Sequence, residues 1–160
     1  MRERNHIDIL RPAKAGAEVV DPESIDWDDE GATKGLLFRQ RPGADNALGH
    51  VKFLFPNPFD VYLHDTPADA LFSRTGRAFS HGCIRVEEPE RLAQYVLREL
   101  PEWTPEKIGG AMHAGVERGV KLPSKIPVHI VYFTASVDTN GGLHLLDDVY
   151  GFDKKQLAAK

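Results

Sequence analysis

The chain has 160 residues and a net charge of −4 at pH 7, with 41% apolar and 28% charged residues. This length allows one domain with its own core, and the acidic balance argues against a general nucleic-acid binder. No apolar stretch approaches the ~20 residues of a transmembrane helix, and residues 1–5 lack the apolar region of a signal peptide.

The N-terminal third combines short apolar runs with loops. Ile7–Leu10 is a short run that is apolar except for Asp8, and an acidic stretch from Pro22 to Gly31 indicates a loop that carries Trp27. Residues 35–40, GLLFRQ, predict a strand, and Gly, Pro and Asn in residues 41–49 then predict turns.

The middle of the chain predicts strands that lead into a loop. Residues 51–55 and 59–63 are apolar runs separated by Pro-Asn-Pro, which breaks a strand. One helical turn over 67–72 and a loop over 74–79 follow. We therefore expect His64 at the end of a strand, shortly before that loop.

Two helices are predicted next. Over residues 89–100, Pro suits the first turn, and Leu92, Val96 and Leu100 recur on one face. Thr104 then predicts the N-cap of a second helix.

The C-terminal part predicts a hairpin. Residues 128–137, VHIVYFTASV, are rich in β-branched and aromatic residues and predict a long strand. Residues 138–142 predict the turn, and residues 143–146 the returning strand. The charged tail, residues 153–160, is expected to fray.

One short segment carries candidate chemistry. Cys83 is the only cysteine, and His64 and His81 lie near it in sequence. A thiol with a histidine base is the minimum set for covalent acyl transfer. Gly82 permits a tight turn that can aim backbone N–H groups at a developing oxyanion.

Two other interpretations of these residues remain open. A lone cysteine is often a small buried hydrophobic residue with no chemistry. Alternatively, His50, His64, His81 and Cys83 could supply zinc ligands, although their spacing matches none of the common structural zinc patterns.

The segments His64-Asp65-Thr66-Pro67 and Ser80-His81-Gly82-Cys83 resemble the signature of L,D-transpeptidases with a YkuD-type catalytic domain. The similarity is greatest to the large periplasmic branch with a capping insertion. In that branch, blocks resembling residues 38–43, 46–49 and 52–57 precede the catalytic histidine. The resemblance covers about residues 20–152.

This resemblance implies roles for individual residues. Cys83 would be the nucleophile and His64 the general base, with Asp65 orienting the imidazole, often through its backbone carbonyl. The backbone N–H groups of His81, Gly82 and Cys83 would hold the oxyanion.

Further site residues flank this core. Ser80 belongs to the oxyanion and orienting group. Arg85, two residues past the cysteine, could favour the thiolate or pair with a substrate carboxylate, although a surface ion pair with a neighbouring glutamate is also open. Arg77 is a weaker candidate of the same kind, and Tyr62 is the third predicted substrate contact.

The resemblance implies an enzyme of cell-wall organisation and cell shape, acting in the periplasm. Its partners would be peptidoglycan tetrapeptide stems, from which it releases D-alanine to form 3→3 crosslinks. Carbapenems would acylate the thiol, and no metal or organic cofactor is expected. A hydrolase that uses water as acceptor and an inactive peptidoglycan-binding module are the alternatives.

The expected fold is mixed and mainly β with α: a YkuD-type β-sandwich, N-terminally truncated, with one or two peripheral helices. We expect residues 1–33 to be a remnant of the capping insertion or a loop, residues 34–152 to be the catalytic domain and residues 153–160 a tail.

Overall fold

The fold is taken from a computed structural model, which describes residues 6–14, 16–80 and 82–159. Within them, eight strands form three small sheets, and three α-helices accompany them. The strands are β1 (Ile7–Ala13), β2 (Gly16–Val20), β3 (Leu37–Gln40), β4 (Lys52–Phe53), β5 (Leu63–His64), β6 (Ile84–Arg85), β7 (Ala135–Val137) and β8 (Leu143–Leu145). The helices are α1 (Pro89–Val96), α2 (Pro105–Met112) and α3 (Phe152–Ala158). The predicted mixed fold, with several sheets and few helices, is confirmed.

The first sheet has the order β2-β1-β3, with both pairs antiparallel. Its apolar face buries Ile9 and Val20 against Ile25 from the loop that follows β2. Two strands therefore lie inside the segment that was expected to be an insertion remnant or loop. The alternating pattern of Ile7, Asp8 and Ile9 already has the period of a strand.

A buried carboxylate ties β1 to the end of β3. Asp8 is 5% exposed and accepts hydrogen bonds from Arg41, at 3.0 Å from Nε and 2.7 Å from Nη2, and from Arg39 at 3.4 Å. The Arg41 guanidinium holds the pKa of Asp8 below its ordinary 3.8, and this effect outweighs burial, which raises it.

The second sheet has the order β4-β5-β6 and carries the candidate site. Strands β4 and β5 are antiparallel, with Lys52 opposite His64. Strands β5 and β6 are parallel, with Leu63 opposite Ile84 and His64 opposite Arg85. Two backbone bonds hold the parallel pair: Ile84 N–H to Tyr62 at 3.0 Å and Val86 N–H to His64 at 2.9 Å.

Helices α1 and α2 support this sheet. Ala93 of α1, Leu97 at the C-cap of α1 and Ile108 of α2 are buried and form a second core, against which Phe53 of β4 packs. Thr104 caps α2 as predicted, because its side chain accepts the Lys107 N–H. Helix α1 ends at Val96 rather than at residue 100, and a turn completes the segment.

The strands before the site are shorter than the apolar runs that predicted them. Asn57 explains the shortening of the strand predicted over residues 59–63. Its side chain accepts the N–H groups of Phe59 and Val61, both at 3.1 Å. It also donates to the carbonyls of Phe55 and Val61. These backbone groups are taken up by the Asn57 turn, so residues 59–61 form a compact loop instead of a ladder.

The C-terminal region contains two corrections. The long strand predicted over 128–137 is wrong for most of its length, since only Ala135–Val137 form a strand, paired with β8. Residues 128–133 make no ladder with another described strand, and Phe133 is 67% exposed. Strand propensity alone does not supply the partner that a strand needs.

The tail was predicted to fray, but Phe152–Ala158 form helix α3. Asp148 accepts the N–H groups of Phe152, Asp153 and Lys154 at 2.9, 3.0 and 3.3 Å, and so caps the first turn. Within the described residues, no helix is long and apolar enough to cross a membrane.

Candidate active site

The parallel pairing of β5 and β6 brings together four of the residues selected from the sequence. His64 lies opposite Arg85, and the register continued back by one pair places Tyr62 opposite Cys83. His64 and Arg85 therefore lie on one face of the sheet, and Tyr62 and Cys83 each precede them by two residues in the segments that lead into β5 and β6.

The imidazole of His64 is buried and oriented by its own backbone neighbour. The residue is 4% exposed, and its Nδ1 lies 2.5 Å from the carbonyl oxygen of Asp65. A carbonyl oxygen can only accept, so Nδ1 carries the hydrogen and donates it. The neutral ring then has its lone pair on Nε2, which is the form that can accept a proton.

The Tyr62 side chain interacts with both the candidate base and the candidate nucleophile. Its ring centroid is 5.8 Å from that of His64. Burial and a hydrogen bond with the Cys83 thiol raise the pKa of Tyr62 above its ordinary 10.0. Tyr62 therefore stays a neutral phenol at physiological pH and can donate its O–H toward the sulfur.

The turn before the cysteine is held by Ser80 and requires Gly82. Ser80 Oγ donates to the Cys83 carbonyl at 2.6 Å and accepts the Gly82 N–H at 3.3 Å. Gly82 has φ +155°, and a Cβ there would lie 3.2 Å from Cγ2 of Val61. The turn therefore needs glycine both for its backbone angle and for its close contact with the loop before β5.

The two candidate arginines occupy different environments. Arg85 is half-buried, and its Nε is buried with no hydrogen-bond partner among the described residues. Arg77 is exposed and donates to the carbonyls of Arg74 and Phe72, so its guanidinium braces its own loop. Arg85 is thus the arginine that the sheet places beside Cys83.

One sequence-predicted residue cannot be placed. His81 lies outside the described residues, as does any contact that it makes. Among the residues that the structure describes, no group of three or more His, Cys, Asp and Glu side chains is arranged to hold a metal ion.

A shallow groove adjoins Tyr62. It has a volume of about 290 Å³ and runs along the Asn57 loop. Its walls are Leu54, Phe55, Pro56, Asn57, Asp60, Val61 and Tyr62. Tyr62 is the only residue of the candidate site among those that line this groove.

Sequence reasoning missed two residues that shape the site. Asn57 organises the loop before β5, and Gly49 lies against the Asp65 carboxyl with φ +61°. Both lie in turn segments whose composition was recognised, but a turn pattern does not say which distant side chain the turn will contact.

The chain was compared with known proteins. Residues 3–130 match the L,D-transpeptidase catalytic domain, YkuD. A protein of Haemophilus influenzae named "Putative L,D-transpeptidase" is 39% identical over 137 residues, which are 86% of this chain and 27% of that protein. The chain thus spans about a quarter of the length of this relative.

Proposed function

The chain belongs to the family of L,D-transpeptidase catalytic domains, and from that premise we propose that it is a cysteine acyltransferase of peptidoglycan. The observation that carries the proposal is the β5–β6 pairing, which sets His64 opposite Arg85, two residues after Cys83. The hydrogen bond from His64 Nδ1 to the Asp65 carbonyl supports it, because it leaves Nε2 available as a base.

In the acylation step, His64 Nε2 takes the proton from Cys83 Sγ. The sulfur then bonds to the carbonyl carbon of the third residue of a tetrapeptide stem, usually diaminopimelate. The tetrahedral intermediate collapses and breaks the bond to D-alanine, whose amine leaves with the proton held on Nε2. A thioester between Cys83 and the stem remains, so the thiol has served as a covalent carrier.

Three features of the site support charge stabilisation during this step. We propose that the backbone N–H of Cys83 contributes to the oxyanion site, where one such donor is worth about 2.7–4 kcal/mol in other acyl-transfer enzymes, whereas the Gly82 N–H donates to Ser80 Oγ. Tyr62 can donate its O–H to the thiolate. Arg85 lies two residues past Cys83, and its guanidinium can pair with a substrate carboxylate.

The second step transfers the acyl group. An amine of a second stem attacks the thioester carbonyl, His64 takes the proton of that amine, and the thiolate of Cys83 leaves. The product is a 3→3 crosslink. The groove beside Tyr62 is where we place part of a stem, because Tyr62 lines it and belongs to the candidate site.

The finer assignments follow the family resemblance. We propose that the chain carries the catalytic domain of the large branch with a capping insertion, bounded by residues 34 and 152, and that it works in the periplasm in cell-wall organisation. Carbapenems are proposed inhibitors, because they present an acyl carbon to the same thiol. Arg77 is proposed only as a secondary substrate contact, since its guanidinium is occupied by its own loop.

The decisive test is release of D-alanine from a tetrapeptide stem, with analysis of the second product. We expect the parent chain to release D-alanine and to form a crosslinked dimer of stems. The Cys83→Ala variant, shown to be folded by circular dichroism, should do neither, because the thiol forms the covalent bond. Release by that variant would refute the assignment, and trimmed tripeptide without crosslinks would indicate a hydrolase.

An intact-mass measurement with a carbapenem tests assembly of the site without an acceptor. We expect one covalent adduct on the parent chain and none on Cys83→Ala. A folded parent chain that forms no adduct and releases no D-alanine would instead support an inactive binding module.

A further inference from the structure

We propose that the side-chain carboxylate of Asp65 is a positioning group that selects the tautomer of His64. This inference rests on the proposed function, which assigns His64 as the base. The geometry from which it is argued and the experiment that tests it do not require substrate. The backbone carbonyl of Asp65 receives the His64 Nδ1–H bond. The side chain of the same residue fixes the peptide group to which that carbonyl belongs.

The first step of the argument is the geometry of one peptide bond. The Asp65 carbonyl and the Thr66 N–H belong to the same planar trans peptide, so they point in opposite directions. Asp65 Oδ1 accepts the Thr66 N–H at 2.7 Å. With the N–H held on one side by the carboxylate, the carbonyl must point to the other side, where the imidazole lies.

The second step is the anchor of the carboxylate itself. Its other oxygen, Oδ2, accepts the His50 N–H at 2.7 Å. The Asp65 residue is only 7% exposed, so the carboxylate is largely removed from water and depends on these N–H bonds. Both of its oxygens therefore accept hydrogen bonds from backbone N–H groups, those of Thr66 and His50.

The third step is why the carboxylate can reach His50. Gly49, the preceding residue, has φ +61° and lies so close to the Asp65 carboxyl that an added methyl group would overlap it. Glycine is thus required here for contact as well as for backbone angle. Any side chain at position 49 would push the carboxylate away from its two donors.

Hydrogen bonds hold the turn that contains Gly49 against β3 and α2. Asn46 donates to the carbonyl of Arg41 at 2.9 Å, and Gln40 accepts the Ala47 N–H at 3.0 Å. On the other side, His50 Nδ1 lies 3.1 Å from the Met112 carbonyl at the end of α2. The end of β3 and helix α2 therefore hold the turn against which the Asp65 carboxylate is anchored.

The consequence concerns the proton on His64. Which ring nitrogen carries the hydrogen is set by the partner of the other nitrogen. The Asp65 carbonyl, once aimed, accepts from Nδ1 and leaves Nε2 unprotonated in the neutral ring. Without the carboxylate the peptide group could rotate, and the hydrogen would be free to move to Nε2, where the ring can no longer accept the Cys83 proton.

The test reads the tautomer directly. The ¹⁵N shifts of His64 are measured by NMR in the chain labelled at histidine, with the signal assigned by its loss in His64→Gln. We expect Nδ1–H in the parent chain and a shift toward Nε2–H in Asp65→Ala. Asp65→Asn keeps one carbonyl oxygen for the Thr66 N–H, and we expect it to retain more of the Nδ1–H form than Asp65→Ala does.

A second readout is the pH profile of Cys83 alkylation by iodoacetamide. Loss of the oriented base should slow alkylation of Asp65→Ala at neutral pH by about tenfold, which corresponds to one charge-assisted hydrogen bond. Asp28→Asn, at an exposed acidic position, should leave both readouts unchanged.

Gly49→Ala supplies an independent variant that keeps the carboxylate and displaces it. We expect the same change of tautomer. Its matched control is Gly115→Ala, since Gly115 has a similar φ of +67° but no atom near the position of the added methyl. The control carries the same backbone strain without the contact, so the difference between the two variants isolates displacement of Asp65.

The outcomes separate this inference from the proposed function. Folded Asp65→Ala and Gly49→Ala chains that both keep the parent tautomer and alkylation profile would overturn the positioning role. If Asp65→Ala does not fold, the comparison of Gly49→Ala with Gly115→Ala decides alone. A tautomer that depends on Asp65 in a chain that releases no D-alanine would uphold the positioning role and refute the activity.

Discussion

The Nδ1 atom of His64 lies 2.5 Å from the carbonyl oxygen of Asp65, the next residue in the chain. The proposed base is thus oriented by a backbone group rather than directly by a third side chain, and no substitution at position 65 deletes the accepting oxygen itself. The orientation depends on the path of the backbone between β5 and residue 66, and hence on what holds that path in place.

Replacement of the base should slow the reaction while the thiol remains. We expect His64→Gln to lower the rate of D-alanine release by at least about a hundredfold, the usual contribution of a general base. The measurement is turnover of a tetrapeptide stem across pH. His129→Gln, at an exposed position, is the matched control, and near-normal turnover of His64→Gln would move the base role to His81.

Removal of one hydroxyl should weaken the nucleophile. Tyr62→Phe keeps the ring beside His64 but loses the O–H that faces Cys83. Because a hydrogen bond to a charged group contributes about 1.5–3 kcal/mol, we expect alkylation of Cys83 to become about tenfold slower or more. Tyr95→Phe, on the exposed side of α1, should alkylate normally; equal rates for both variants would remove Tyr62 from the site.

Replacement of Gly82 by alanine, in the turn before Cys83, should destabilise the fold. Gly82→Ala forces an alanine to φ +155° and against Val61, and such backbone strain costs about 1–3 kcal/mol. We expect a lower midpoint of denaturant unfolding together with slower carbapenem acylation.

Gly16→Ala is the control for the Gly82 variant, because Gly16 has φ +130° with no atom near the added methyl. A Gly82→Ala chain that acylates as fast as Gly16→Ala would show that the turn geometry does not matter to the reaction.

The ion pair of the first sheet should make stability depend on pH. The pKa of Asp8 lies below 3.8 in the folded chain, so its ionised form stabilises the fold above pH 3.8. That contribution is lost as the pH falls through the lower folded-state value. We therefore expect Asp8→Asn to be less stable at pH 7 by about 1–2 kcal/mol, and the difference to disappear in stronger acid.

Urea unfolding at a series of pH values checks this expectation, with Asp28→Asn as the control for removal of an exposed acidic charge. A destabilisation of Asp8→Asn that is the same at pH 7 and well below pH 3.8 would contradict the assigned ion pair.

Local chemistry was readable from the sequence because it depends on residue type and short spacing. Three local patterns each predict one feature. The single thiol after Ser-His-Gly predicts a nucleophile, the histidine nineteen residues earlier predicts a base, and Thr-Pro predicts the start of a helix. Thr104 caps α2 where a Thr before Pro predicts a cap. The same holds for the turn at residues 138–142, where β7 and β8 meet.

Only the tertiary structure decided which of these groups meet. The parallel register of β5 and β6 sets His64 opposite Arg85 and so brings the segment of His64 beside the segment of Cys83, and no local pattern states which strand pairs with which. The long apolar run at residues 128–137 forms a strand over three residues alone, because a ladder requires a partner and not only a propensity.

The contact of Gly49 with Asp65 is of the same kind. Gly49 predicts a turn from sequence alone. That the turn contacts the Asp65 carboxylate, sixteen residues later, is visible only in the structure. In this protein the sequence by itself determined the reactive groups and their local conformations. The fold determined their distances and partners, since these depend on contacts between segments that are remote in the chain.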